Sequence, residues 1–230
     1  MSTSKLSGLK IIRDQQFSDS ELLNFAQGLS EKLGELEDKI LHWDFGPIMD
    51  MKFNPAAPNY LFSSENVPLH WDGAFYKEPS YLLFYCTETS GTGGETLFLN
   101  TELLWDSLTA DEKEECSKII LKYSTEKKAH YGGEITVPLV QTHPLTGKTI
   151  LRIAQKVETT LNPVTLTILG ASDAADFYQR MEKKLSDPKF LYTHAWKKGD
   201  VVICDNFTYL HGRKALEGNL TRSFKRIQIL

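Results

Sequence analysis

Six short apolar runs, each fenced by turn-forming residues, fill much of the sequence from Tyr81 to Leu230, and they restrict the fold more than any other feature. They are YLLFYCT (81–87), ETLFLNT (95–101), ITVPLVQTH (135–143), TILRIAQ (149–155), GDVVICDN (199–206) and RSFKRIQIL (222–230). β-branched and aromatic residues are prominent in them, and each has the length of a strand. Pro144-Leu145-Thr146-Gly147-Lys148 reads as a hairpin loop joining the third run to the fourth.

Helical periodicity is confined to three places. Ser18 and Glu21 have capping-box spacing behind Phe17, a staple residue, and Leu22, Ala26, Leu29, Leu33, Leu36 and Ile40 then recur at helical period. An amphipathic helix up to about His42 is expected, ahead of the helix-breaking Phe45-Gly46-Pro47. A second helix is expected across 101–118, where Thr109 and Glu112 repeat the capping-box spacing, and a third across about 172–186, before Asp187-Pro188. No repeat, low-complexity segment or linker interrupts the pattern. With 230 residues, 41% of them hydrophobic, the chain is long enough for one substantial core. The expected architecture is mainly β with flanking α-helices, a double-layered β barrel or jelly roll, in a single domain over 1–230.

A net charge of −4, with lysines and arginines scattered among acids, offers no basic stripe for a phosphate backbone. Nucleic acid and anionic membrane surfaces are therefore poor partners, and a small molecule is the expected one. Cys86, Cys116 and Cys204 are odd in number and far apart, which suits reduced core thiols. The N-terminal stretch lacks a secretion-type apolar segment, and nowhere do about 18 apolar residues run together. A soluble, cytoplasmic protein is expected.

The tetrapeptide Leu-His-Trp-Asp occurs twice, at 41–44 and at 69–72. On a strand, residues i and i+2 point to one face, so His-x-Asp there aims an imidazole and a carboxylate at one point; in a helix the same spacing sends them apart. His42 falls at the end of an expected helix and Asp44 at the start of a turn, so that copy reads as a helix-terminal histidine and a turn-capping aspartate. His70 and Asp72 follow Pro68, which favours extended backbone, and suit a metal pair. Candidates for a third ligand are His130, His143, His194 and His211. His211 stands out because it closes VVICDNFTYLHGR, a strand, a turn at Asp205-Asn206 and a second short strand. Two histidines and one carboxylate, leaving half the coordination sphere open, make the facial triad of non-haem iron(II) oxygenases. The open positions take a bidentate cosubstrate and oxygen. In the last run, period two puts Arg222, Phe224 and Arg226 on one face, opposite Ser223, Lys225 and Ile227. An arginine facing into a barrel is costly unless it meets an anion, and a dicarboxylate cosubstrate would supply one.

His70-Trp71-Asp72, Gly93-Gly94-Glu95-Thr96, the block Gly199-Asp200…Asp205-Asn206…His211, and Arg222 eleven residues beyond His211 together resemble the taurine dioxygenase-like iron(II)/2-oxoglutarate oxygenases. QTHPLTGKTIL (141–151) is similar to that family's hairpin, and Asp44-Phe45-Gly46 to its Phe-Gly element after the first helix, which gives the first Leu-His-Trp-Asp a structural role. The similarity runs from about residue 20 to the end. It implies that His70, Asp72 and His211 bind Fe(II), that Thr96 and Arg222 hold the distal carboxylate of 2-oxoglutarate, that O2 is the second cosubstrate, and that Arg226 meets an anionic group of the substrate.

VPLHWDGAFYKEPSYLLFYC, AHYGGEITVPLVQTHP and GDVVICDNFTYLHGRKAL resemble, more closely, the oxygenases of isonitrile natural-product pathways, the pyoverdine/paerucumarin type. That resemblance implies a carboxylate-bearing isonitrile from tyrosine or tryptophan as substrate, oxidised by C–H abstraction and desaturation with or without decarboxylation. Asp72 argues against halogenation, because halogenating relatives carry a small residue in its place. Phe75, Tyr76, His130, Tyr131 and Arg152 are further candidates for substrate contact near the barrel openings, while His143 and His194 read as structural. The glycines at 91, 93 and 94 read as a tight turn, since no lysine-bearing helix follows them as in a phosphate loop. Competing readings are a taurine dioxygenase-like hydroxylase of another small acid, a jelly-roll metal enzyme that uses the triad without Arg222, such as a cupin-like isomerase or cofactor-free dioxygenase, and a non-catalytic sugar- or partner-binding sandwich with its histidines in the core.

Overall fold

In the strand Tyr81–Thr89, Leu82 and Phe84 face one way and Leu83 and Tyr85 the other, and all four are buried. A strand covered on both faces lies in a layered molecule. The computed structural model describes residues 8–32, 39–54, 56, 62–128, 131–158, 161–217 and 221–230. In chain order its elements are β1 (Leu9–Ile12), α1 (Asp19–Lys32), β2 (Met49–Lys52), β3 (Val67–His70), β4 (Tyr81–Thr89), β5 (Thr92–Gly93), β6 (Thr96–Asn100), α2 (Thr101–Asp106), α3 (Ala110–Ser117), β7 (Ile120–Lys128) and β8 (Tyr131–Pro138). There follow β9 (Val140–Thr142), β10 (Thr149–Leu151), β11 (Thr165–Leu169), α4 (Ala174–Leu185), β12 (Leu191–His194), β13 (Val201–Asp205), β14 (Tyr209–Arg213), β15 (Leu216–Glu217) and β16 (Arg222–Ile229).

Two antiparallel sheets form the barrel: a five-stranded one in the order β1-β13-β4-β16-β2, and a four-stranded one in the order β12-β6-β14-β3. Leu9, Leu82, Phe84, Val202 and Cys204 of the first sheet pack with Phe98 and Tyr209 of the second, so this cluster fills the space between them. The outer face of the five-stranded sheet, through Leu83, Tyr85, Val201, Ile203 and Ile227, takes Leu22 and Ala26 of α1. The outer face of the four-stranded sheet is covered by a three-stranded sheet, β11-β7-β8, and by α4 through Phe177, Met181 and Leu185. This is the double-stranded β-helix expected of the sequence. None of the described helices is long and apolar enough to cross a membrane.

Both expected capping boxes form. The Ser18 backbone N–H donates to Glu21 Oε2 at 2.8 Å, and Phe17 stacks on Phe25 with centroids 5.4 Å apart. Thr109 and Glu112 cap α3 reciprocally, so the helix expected across 101–118 is two helices, with Thr109 starting the second. The first helix does not reach His42. Residues 33–38, with Leu33 and Leu36, lie outside the described residues, but Lys39, Ile40 and Leu41 run beside β16: Leu41 N–H donates to the Gln228 carbonyl, and the Lys39 carbonyl accepts from Leu230. Tertiary pairing there overrides helical periodicity. The run 135–143 divides at buried Leu139 between β8 and β9, and the hairpin after Thr142 pairs β9 with β10 as expected. Beyond Leu151 the chain leaves the ladder because Ala154 and Gln155 bond to Tyr123 Oη and the Leu69 carbonyl.

Candidate metal centre

Register brings the metal-ligand candidates together. His70 ends β3 directly opposite His211 of β14, and their ring centroids are 4.3 Å apart. Asp72 lies two residues past His70, and the three side chains offer ligand atoms all within 4.8 Å of one another. Asp72 Oδ1 is 3.6 Å from His70 Nε2 and 3.7 Å from His211 Nε2, so both imidazoles and one carboxylate oxygen face a common point. The Pro68 carbonyl lies 2.9 Å from His70 Nδ1; donation to it fixes the tautomer that leaves Nε2 bare for a metal. Burial, with the adjacent His70 and Arg226, pushes His211 down to about 3, which keeps it neutral as a ligand must be. Burial alone would raise Asp72, but the Arg226 guanidinium, 2.8 Å from Oδ2, holds its carboxyl well below the ordinary carboxylate range.

The polar block around Asp205 fixes this arrangement. Fully buried Asn206 clamps the Asp72 peptide, accepting from its N–H at 2.9 Å and donating to its carbonyl at 3.1 Å. Asp205 caps the β13–β14 turn by accepting from the N–H groups of Phe207 and Thr208, and His143 Nε2 donates to its other oxygen at 2.9 Å. That histidine accepts at Nδ1 from Leu145 and Thr146, so it ties the β9–β10 hairpin to the turn.

Two cavities flank the triad, and His70 and Arg226 belong to the walls of both. The smaller, about 40 Å³, lies on the His211 side among Thr96, Trp196, Arg213, Arg222 and Phe224. Arg222 stacks over the Phe224 ring at 4.0 Å, and no acidic side chain pairs with it among the described residues. Burial and the charge of Arg213 push it down to about 9. An anion entering this cavity would relieve that penalty. Thr96 Oγ1 accepts from Trp196 Nε1 at 2.8 Å, which leaves the threonine's own hydrogen to donate. Gly94 has φ +71°, and a Cβ there would lie 2.4 Å from Leu216 and 3.4 Å from Arg222 Nε, so the Gly-Gly turn lets the backbone pass close to the arginine.

The larger cavity, about 330 Å³, opens over His70 and Asp72 and is mainly apolar and rich in aromatic rings, with Trp43, Phe45, Trp71, Phe75, Tyr76 and Tyr131 in its wall. Trp43 stacks with Phe45 and packs against Tyr76, centroids 6.0 and 5.3 Å away. The two imidazoles and one carboxylate, backed by a cation-lined cavity on one side and an aromatic one on the other, fit ferrous iron and a dicarboxylate chelator.

Residues 6–228 match the model of the taurine catabolism dioxygenase TauD, TfdA family. The chain belongs to that family. It is an Fe(II)/2-oxoglutarate-dependent dioxygenase by descent, and the family uses Fe(II) and 2-oxoglutarate. It is 38% identical over 200 residues to 3-((Z)-2-isocyanoethenyl)-1H-indole synthase of Fischerella ambigua, covering 84% of this chain and 73% of that protein. Tyrosine isonitrile desaturase of Pseudomonas aeruginosa is 29% identical over 200 residues, covering 83% of this chain and 68% of its own. The crystal structure of PvcB from Pseudomonas aeruginosa superposes with a TM-score of 0.77 at 25% identity, over 96% of this chain and 75% of that one.

Within this dioxygenase, Thr96 and Arg222 line the small cavity and Arg226 lines both. Phe75, Tyr76 and Tyr131 line the aromatic cavity; His130 lies outside the described residues. Arg152 is placed differently from expectation. It is 1% exposed, donates to the Asn206 carbonyl, pairs with Glu78 and lies over the Trp71 and Phe207 rings, so it braces the Asp205-Asn206 turn and does not face a substrate. Three residues of the site went unread in the sequence. Arg213 follows His211 by two, and the rule that paired His70 with Asp72 would have put it on the same face. Gln228 continues the Phe224, Arg226 face by the same rule. Trp43 gave no signal of its own, since its tetrapeptide was judged on the histidine and aspartate.

Proposed function

We propose that this enzyme desaturates an isonitrile derived from an aromatic amino acid, tyrosine or tryptophan, with iron held by His70, Asp72 and His211 and 2-oxoglutarate held by Thr96 and Arg222. The observation that carries the reading is the aromatic cavity of about 330 Å³ opening directly over His70 and Asp72, with a buried arginine at its iron end. Its size falls within the range of small-molecule pockets. Two relatives support it by their names, one a tyrosine isonitrile desaturase and the other a synthase of an isocyanoethenyl indole.

Fe(II), which His70, Asp72 and His211 would hold, would with 2-oxoglutarate and O2 supply the oxidising power to remove hydrogen from a C–H bond, and the protein supplies orientation and exclusion of water. Arg222 and the Thr96 hydroxyl hold the distal carboxylate, and Arg213 adds positive charge to the same wall. Arg226 binds the substrate carboxylate: Nη1 is held by Asp72, whereas Nε is buried with no hydrogen-bond partner among the described residues and remains to donate. The rings of Trp43, Tyr76 and Phe75 sandwich the aromatic side chain and set which hydrogen faces the iron. The chain works as one oxygenase domain in a reducing, cytoplasmic setting, which its three free, buried cysteines support.

The test adds Fe(II) and then 2-oxoglutarate anaerobically and follows the visible charge-transfer band. His211→Ala abolishes it. Arg222→Ala requires on the order of a hundredfold more 2-oxoglutarate, the cost of about 3 kcal/mol for removing one partner of a buried charge pair. Incubation with the isonitriles of tryptophan and tyrosine, beside taurine and free amino acids, then follows succinate release and product mass. Brisk turnover of taurine or an amino acid, with none of either isonitrile, would refute the substrate assignment.

A further inference from the structure

On the basis of the iron site proposed above, we infer that Gln228 is a positioning residue: it confines Asp72 to ligation through one oxygen and ties that carboxylate to Trp43 in the aromatic cavity. Asp72 Oδ1 faces both imidazoles, whereas Oδ2 accepts from Arg226 Nη1 at 2.8 Å and from Gln228 Nε2 at 2.8 Å. Two donors occupy both in-plane lone pairs of Oδ2 and leave Oδ1 alone to meet the metal. A bidentate carboxylate would take a second coordination position; this one is held off it.

Gln228 is 4% exposed, and its neighbours in the strand, Ile227 and Ile229, are buried apolar residues. A buried amide in an apolar strand needs partners for both ends. It has them: Trp43 Nε1 donates to Gln228 Oε1 at 3.1 Å, while Nε2 donates to Asp72. The indole N–H can only donate, so it fixes which end of the amide faces which way. Were the amide reversed, its oxygen would lie against the carboxylate and repel it. Trp43 is packed on Phe45 and Tyr76 in the cavity wall. A molecule stacking on that ring is thereby connected to the iron carboxylate through two hydrogen bonds, and the first Leu-His-Trp-Asp is joined to the second.

The experiment uses the full chain, metal-free, titrated anaerobically with Fe(II) and separately with Co(II), whose d–d absorption reports coordination number. Gln228→Leu keeps the volume and removes both hydrogen bonds; Trp43→Phe keeps an aromatic ring and removes only the N–H. Gln228→Leu weakens Fe(II) about tenfold, as loss of a group orienting a metal ligand does. It also shifts the Co(II) spectrum toward a higher coordination number. Trp43→Phe moves both in the same direction by about fivefold in affinity, the worth of one neutral hydrogen bond. A folded Gln228→Leu protein with wild-type affinity and spectrum overturns the inference, as does, should that variant fail to fold, a Trp43→Phe protein with the wild-type Co(II) spectrum. His211→Ala separates the two levels: if it still binds metal as wild type does, the iron site is wrong, whereas its loss of metal beside an unchanged Gln228→Leu condemns the role of Gln228 alone.

Discussion

At Leu41-His42-Trp43-Asp44 the backbone leaves the edge of the C-terminal strand and turns, with Trp43 and Gly46 hydrogen-bonded to each other and both His42 and Asp44 exposed. At Leu69-His70-Trp71-Asp72 the first two residues finish a paired strand, and the aspartate, just beyond its end, is drawn inside by Asn206. Both leucines are buried, so the two segments differ in what their polar members meet and not in whether they anchor. A His-x-Asp supplies donor atoms; a partner strand and a clamp on the following peptide supply convergence. The first copy still serves the site, through the indole between its histidine and aspartate.

The strongest way to break this contrast is to delete the donors of each copy in turn. His70→Ala or Asp72→Ala abolishes the charge-transfer band and succinate release, whereas His42→Ala and Asp44→Ala retain both; loss of iron in a His42 variant would show that the copies had been misassigned. Next in size is Arg226→Ala. It leaves buried Asp72 short of its main counter-charge, so metal-free protein loses about 3 kcal/mol in a denaturant titration. Fe(II) narrows that loss by replacing the guanidinium as counter-charge, and equal losses with and without iron would detach Arg226 from the metal site. Smaller again, Trp43→Ala raises KM for the aromatic substrate about fivefold, near 1 kcal/mol for a lost ring contact, with KM for 2-oxoglutarate unchanged. A parallel rise in both constants would mean that the two cavities are not separate. Least of all, His42→Ala and Asp44→Ala, at exposed positions, each change stability by less than Arg226→Ala does in the same denaturant titration.

The residues that were legible from sequence are those whose role is set by near neighbours. Ser18 with Glu21 and Thr109 with Glu112 cap helices over three residues, and the hairpin around Pro144 closes over five. Period two in the last run correctly put Phe224 and Arg226 on the barrel face, with Lys225 outside, bonded to Asp19 and Asp50, and Ile227 against α1. Where several weak local signals stood in order, as at His70, Asp72, Thr96, His211 and Arg222, the order itself pointed to the family. The strands β7 and β11 were not read in the sequence: β7 runs into a charged tail, whereas the alternation in β11 is a strand signal that was passed over.

The amino-acid sequence by itself determined the strand-rich layering, the donor types and the face of the last strand on which Phe224 and Arg226 lie, since these follow from backbone sterics and side-chain period over a few residues; Asp72, beyond the end of β3, owes its place to Asn206 instead. Only the tertiary structure decided that His211 stands opposite His70, that Arg152 braces a turn, that residues 39–41 run beside β16, and that Gln228 and Trp43 reach Asp72. Those are choices of partner between segments far apart in the chain. They are fixed by which strand lies next to which and in what register, and no local preference encodes that.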